Sequence, residues 1–250
     1  MKKLFVLMGL LVGLNPVYAQ EAETETEAEA EESPWSGEIA LGYLSSAGNT
    51  DTSSATGRIK VGYTKGKWDH EIEAKGYGSS EDEGTTAESY QVAGKSIRNF
   101  TDKQYGWGQV EWKKNRFSAY ETQTFETLGY GYRFLNDDVF TLNGEVGLGY
   151  SQQKKFVSKD PDETEDEDNA TYTVGGNFAW NISETSTLEQ ILSSNTTSDN
   201  TYWESVTRLR LDIVKDLKLA VGYTVQGNTD VDGDTEKTDR YTAITLDYVW

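Results

Sequence analysis

From Trp35 to the last residue, apolar and polar positions alternate along the chain. In residues 138–151, Phe140, Leu142, Val146, Leu148 and Tyr150 fall on one parity, and Thr141, Asn143, Glu145, Gly147 and Gly149 fall on the other. A two-residue period turns successive side chains to opposite faces of a strand, so the stretch predicts a strand with one oily face and one polar or empty face. Residues 203–214 set Leu209, Leu211 and Ile213 against Arg208, Arg210 and Asp212, and 217–227 alternate in the same way. About twelve such segments are predicted, at 36–46, 54–64, 67–79, 86–99, 103–116, 121–134, 138–155, 170–182, 185–196, 201–214, 217–227 and 238–250. In 103–116 and 185–196 the parity shifts or places Gln and Glu on the apolar side, which predicts bulges or register errors there.

The connections alternate in length. Those after strands two, four, six, eight and ten are tight, as in TKGK at 64–67 and KD at 215–216, whereas those after strands one, three, seven and eleven are longer or more acidic. Short turns on one rim and longer loops on the other, with an even strand number, are the pattern of an outer-membrane barrel. The competing arrangement is a soluble β-barrel or sandwich with its oily face inside. Twelve strands of large apolar residues exceed what a small soluble barrel can hold. Aromatic residues recur near strand ends (Tyr43, Tyr63, Trp68, Tyr132, Phe134, Phe140, Trp180, Trp203), as in interfacial girdles. The opposite face carries charges of both signs, which a dry core holds only at high cost. The expected fold is therefore all-β, a transmembrane up-and-down antiparallel barrel of about twelve strands.

Composition adds an address. Lys2 and Lys3 precede an apolar run from Leu4 to Leu14 and then Val17-Tyr18-Ala19, which predicts a signal peptide over 1–19. The run is shorter than the ~20 residues a spanning helix needs. Residues 20–34 form an acidic, low-complexity linker expected to be disordered, and 35–250 form the barrel. The formal net charge is −19, concentrated in this linker and in two acidic runs at 159–169 and 229–239, which are expected to be loops. That balance argues against nucleic acid as a partner. No cysteine is present, so disulfides and thiolate metal sites are excluded.

The final strand places Ile244, Leu246, Tyr248 and the terminal Trp250 on one parity. An aromatic last residue resembles the C-terminal signal that outer-membrane barrels present to their assembly machinery, with Tyr248 and Trp250 carrying it. The stretches WSGEIALGYLSSAGNTDTSS (35–54), KVGYTKGKWDHEIEAKGYG (60–78) and TLGYGYRFL (127–135) resemble the salt-induced outer-membrane proteins of Gram-negative bacteria, a family of unestablished function. The resemblance covers roughly 35–250 and implies a small monomeric barrel in the outer membrane, without cofactor or catalytic residues.

The residues agree that this is no enzyme. The single histidine, His70, shares parity with Ile72 and Ala74 and is expected to face lipid. Asp162, Glu163, Glu165 and Asp166 offer paired carboxylates, but on an acidic loop nothing rigid would hold them at a working separation. Asp230, Asp232, Asp234 and Glu236 alternate as in a calcium loop, yet Thr235 stands where the helix–loop–helix site needs glycine, which leaves only loose divalent-cation binding at the acidic loops. The glycines of Leu41-Gly42-Tyr43, Leu128-Gly129-Tyr130 and Leu148-Gly149-Tyr150 are expected on the inner side, where they make room for large neighbours.

Parity assigns Arg58, Lys60, Glu71, Glu73, Lys75, Arg133, Glu145, Arg208, Arg210, Asp212, Lys218 and Asp247 to the lumen. Their signs nearly cancel, so pairing across a narrow bore is expected. Two functions follow: a small passive pore for ions or compact solutes linked to salt or osmotic response, with acidic loops favouring cations at its mouth, or a non-conducting barrel that displays those loops.

Overall fold

The computed structural model describes residues 33–46, 52–82, 84–116, 118–156, 163–231 and 236–250. The expected signal peptide, nearly all of the acidic linker and much of the two acidic runs lie outside the described residues. The described part is a single sheet of twelve antiparallel strands in chain order, closed where β1 meets β12. The strands are β1 (Trp35–Ser46), β2 (Thr52–Lys65), β3 (Trp68–Glu81), β4 (Gly84–Asn99), β5 (Gln104–Asn115), β6 (Tyr120–Asn136), β7 (Phe140–Phe156), β8 (Thr164–Ser183), β9 (Ser186–Thr196), β10 (Thr201–Val214), β11 (Leu217–Asn228) and β12 (Thr238–Val249).

An even count returns both ends of the barrel domain to one rim, here drawn as the lower one. Gly37 and Trp250 exchange both backbone hydrogen bonds at 3.0 Å there, and the Trp250 ring lies on the Gly37 backbone, where a Cβ would collide with it. The lower turns are tight: 66–67, 100–103, 137–139, 184–185 and 215–216. Gly66 takes φ +61° in the first of these, a backbone state that favours glycine.

The outer face is apolar. Among the described residues thirty-seven large hydrophobic side chains are exposed, Leu128 to 74 %, while nine hydrophobic residues are buried. In water each exposed aliphatic side chain would forgo about 2 kcal/mol of burial, so a surface of this kind is stable only against hydrocarbon. Rings gather at its lower edge: Trp35 lies 4.6 Å from Tyr63, Tyr132 5.1 Å from Phe134, and Phe140 6.1 Å from both Phe178 and Trp180. Tyr43, Tyr90, Tyr150, Tyr172 and Tyr223 mark the upper edge.

Four expectations change. The link after β3, expected to be long, is only two residues, from the end of β3 at Glu81 to the start of β4 at Gly84, with Asp82 at φ 45°. The run at 159–169 is not all loop. β8 begins at Thr164, and its ladder sets Glu165 opposite Lys155 and Asp166 opposite Lys154, so cross-strand charge pairs carry the sheet beyond the apolar band. Glu165 and Asp166 therefore sit on a rigid element, alternating between its two faces. Finally, neither β5 nor β9 carries a bulge of its own; register shifts fall instead at Ser79/Ser80, Tyr120/Thr122, Arg133/Leu135, Asn181/Ser183 and Asp212/Val214.

β5 departs from the rule of oily outside for a physical reason. Tyr105 and Trp107 face inward with Gln109, Glu111 and Lys113, and the floor beneath the two rings is built of glycine. Trp107 lies over Gly129 and Gly147, and Tyr105 lies over Gly131, each too close for a Cβ. On the outer face Phe100 and Leu128 cover Gly106 and Gly108 in turn. Gly131→Leu is accordingly expected to evict Tyr105 and cost about 2 kcal/mol in denaturant titration of the reconstituted barrel. Gly94→Leu, whose Cβ would point into open space, should leave the midpoint unchanged.

Candidate permeation path

Every second residue of each strand points into the bore, and strands that are not neighbours in the sheet touch only through it. Contacts of this kind order the lumen by height. Near the lower rim Lys95 of β4 meets Glu145 of β7 at 2.6 Å, the Tyr105 hydroxyl donates to the same carboxylate at 3.0 Å, and the Arg133 guanidinium stands 4.5 Å from the centre of the Tyr105 ring.

Above this, Glu38 of β1 accepts hydrogen bonds from Arg58 of β2 and, at 2.8 and 2.9 Å, from Arg210 of β10. Glu73 lies 3.4 Å from Arg58, and Glu189 lies 3.5 Å from both Arg208 and Arg210. Asp247 is fully buried beside this cluster; the Thr245 hydroxyl donates to it at 2.6 Å, and Arg210 Nε stands 3.9 Å from its other oxygen.

The third level crosses the bore. Lys75 Nζ of β3 lies 3.2 Å from Glu204 Oε1 of β10, and these strands are five steps apart round the sheet. The Tyr202 hydroxyl donates to Glu204 Oε2 at 3.0 Å, and Lys113 of β5, five steps away in the other direction, sits 3.6 Å above the Tyr202 ring. Lys113 is also 3.3 Å from Glu111, which accepts a hydrogen bond from Gln91. One wall thus reaches two opposite strands with side chains alone. We call this layer the septum.

Open space lies on both sides. A lower chamber of about 520 Å³ and an upper one of about 130 Å³ share Arg58, Lys75, Gln91, Val206 and Arg208 as lining. The lower lining holds seven Lys or Arg and seven Glu, and therefore balances. The upper chamber is walled by Tyr77 and Tyr241, stacked at 4.7 Å, with Thr224, Gln226 and Asn228. Higher still, Gln123 of β6 donates to Asn228 of β11 at 3.4 Å, and Lys155 pairs with Asp230 at 2.6 Å.

Arg58, Lys60, Glu71, Glu73, Lys75, Arg133, Glu145, Arg208 and Arg210 line the lower chamber. Asp212 pairs with Lys218 at 2.6 Å near the lower rim. Tyr248 and Trp250 point outward and stack at 5.8 Å. His70 is exposed on the outer face between Tyr63 and Trp68, and its Nδ1 shares a 2.9 Å hydrogen bond with Ser96. Asp230 is turned toward Lys155 and Tyr120; Asp232, Asp234 and Thr235 lie outside the described residues, and no cluster of metal ligands occurs among the described residues.

The pattern did not yield Glu38, Lys95, Glu111, Lys113, Glu189, Tyr202 and Glu204. For β5 the signal was present: residues 105, 107, 109, 111 and 113 share one parity, and the aromatic pair at its head disguised an inner face as an outer one.

A family model matches residues 39–250 of this chain. The chain belongs to the family described as "protein of unknown function, DUF481". A curated relative, the uncharacterized protein YdiY of Escherichia coli strain K12, is 28% identical over 223 residues, covering 87% of this chain and 84% of its own. Among solved structures, the NanC porin superposes with a TM-score of 0.50 at 11% identity, covering 84% of this chain and 97% of that one. The translocator domain of the autotransporter NalP from Neisseria meningitidis gives 0.50 at 11%, covering 86% and 87%. At such identity the likeness is one of fold.

Proposed function

We propose that this protein is a monomeric outer-membrane barrel that passes ions or compact solutes passively, through a bore that its septum holds shut in the conformation described here. The observation that carries this reading is the composition of the barrier. Side chains alone separate two chambers, so opening requires rotamer changes at Lys75, Tyr202, Glu204 and Lys113 while the sheet stays intact. The apolar outer face and the fold shared with a porin support the membrane location, and the outward Tyr248 and Trp250 suit recognition of the last strand by the assembly machinery. The tie to salt or osmotic stress, and loose cation binding at the acidic loops, rest on the sequence alone.

Conductance of the refolded barrel in a planar bilayer tests the reading, with stepwise openings as the expected result. Silence from correctly folded protein would favour the sealed scaffold, for which the even charge balance of the lower chamber speaks. Within the pore reading, Arg208→Gln combined with Arg210→Gln leaves Glu38, Glu189 and Asp247 in excess, so the reversal potential in a salt gradient should move toward cation selectivity. An unmoved potential removes the pair from the path.

A further inference from the structure

The barrier between the two chambers is polarised. Its carboxylates Glu38, Glu73, Glu111, Glu189 and Glu204 all line the lower chamber, and none of them lines the upper one. Arg58, Lys75 and Arg208 line both, and Lys113 lines the upper chamber alone. Seen from above, the floor is therefore basic, with its counter-charges behind it. Lys75 and Lys113 come together there around Glu204 and Tyr202. An ammonium carries three donors. Lys75 gives one to Glu204, and Lys113 is held by an ion pair with Glu111 at 3.3 Å, so both keep donors for a further acceptor.

The upper part of the chamber has the opposite character. Lys114 borders it from the outward parity of β5 and pairs with Glu121, which leaves Asp239 as the remaining charged residue of the lining. Among the described residues Asp239 has no ion pair; the Gln226 amide donates to it at 3.5 Å. Two residues further down β12, about 7 Å of strand rise, Tyr241 stacks on Tyr77 at 4.7 Å. A vestibule of about 380 Å³ shares Tyr77, Tyr241 and Asp239 with the chamber and adds Glu88 and Glu236 against Arg240. It opens the chamber along β3, β4 and β12, whereas Gln123 and Asn228 cross the bore on the other side.

From the bottom upward, then, the order is acid, base, open space and acid. A simple anion is repelled at the vestibule and a simple cation at the floor, while a solute that carries both charges meets its complement at each end. Paired aromatic rings are also a surface that attracts an alkylammonium group. At about 130 Å³ the chamber is close in size to an engineered cavity of about 150 Å³ that holds benzene, so the solute is compact. From these features we infer that the upper chamber is a binding site for a small zwitterion of the amino-acid or betaine type. Its carboxylate lies on Lys75 and Lys113, and its ammonium lies against Tyr77 and Tyr241 beneath Asp239.

This inference rests on the pore reading for transport, since it names the solute class, but binding needs no open septum and is measured separately from current. Betaine is the probe, because its two charges do not titrate near neutral pH and two analogues each lack one of them. In tert-butylacetate carbon replaces the nitrogen, and in choline a hydroxymethyl group replaces the carboxylate. Radiolabelled betaine is dialysed to equilibrium against the refolded full chain in phosphatidylglycerol nanodiscs. Saturable binding is expected, with each analogue displacing betaine about tenfold less well. Binding that does not saturate, or an analogue as good as betaine, overturns the zwitterion site. Saturable binding to a barrel that is silent in bilayers would keep the site and sink the pore; stepwise openings without saturable binding would sink the site alone.

Variants locate the contacts. Asp239→Asn should weaken betaine several-fold and leave tert-butylacetate unweakened, and Tyr77→Leu should abolish the preference of betaine over tert-butylacetate. Lys113→Gln should weaken betaine and tert-butylacetate alike and spare choline. A variant that weakens all three solutes equally overturns the contact assigned to that residue. The analogue series is read on the unmodified chain, so it decides the matter even where a variant fails to fold.

Discussion

Glu204→Ala is expected, on the pore reading, to give the barrel sustained conductance. Glu204 is the junction of the septum: its two oxygens take Lys75 from β3 and the Tyr202 hydroxyl, and Tyr202 in turn carries Lys113 from β5. Removing the carboxylate leaves two ammonium groups facing each other across the bore. Each has a flexible four-carbon stem and hydrated space above or below it, so both should swing out of the plane. The backbone ladders of β3, β5 and β10 do not depend on Glu204, and heat-modified mobility should therefore stay that of a folded barrel. Mean current in planar bilayers should rise several-fold, with selectivity shifted toward anions because Lys75 and Lys113 then outnumber Glu111. A current equal to that of the unmodified protein would show that conduction, if any, is limited elsewhere. Tyr202→Ala tests the same layer without changing its charge and should give a smaller gain.

Glu38→Ala should produce the largest loss of stability. Glu38 is buried on β1 and holds Arg58 of the adjoining strand and Arg210 of β10, which lies across the closing seam. Taking the central carboxylate from this buried cluster leaves Arg58 with only Glu73, and Arg210 with only Glu189 and Asp247, all at 3.4 Å or more, at a cost of about 3 kcal/mol. The loss falls where the β1–β12 ladder is shortest. Unfolding by urea in lipid vesicles, followed by tryptophan fluorescence, measures it. The cause is checked by adding Arg58→Met and Arg210→Met: if stranded guanidinium charge is responsible, the triple variant regains most of the lost stability, whereas mere loss of a side chain at the seam would leave it as weak as the single variant.

Particular elements show how far the sequence carries. The alternation in 138–151 places β7 within two residues of its ends, and the tight pairs Gly66-Lys67 and Lys215-Asp216 mark two lower turns, because a strand with lipid on one side and water on the other must alternate at every step. The inner charges on β2, β3 and β10 followed from the same rule. β5 did not: residues 105–113 of one parity carry its inner set, but the rings at its head lie on glycines of β6 and β7, and nothing local to 104–115 reports that the neighbouring strands leave them room inside. β8 hid its beginning in an acidic run for a similar reason: Glu165 and Asp166 are strand residues because Lys155 and Lys154 stand opposite.

By itself, then, the order of residues determined that this is a closed antiparallel barrel, how many strands it has, and which face of each strand is wet, since these depend on a period of two and on the lengths of connections. Only the tertiary structure decided which wet residues meet. Glu204 finds Lys75 and Arg210 finds Glu38 across a bore whose width and strand stagger are properties of the whole sheet. The septum and the two chambers arise at that level, because each is made by strands far apart in the chain brought to one height by closure.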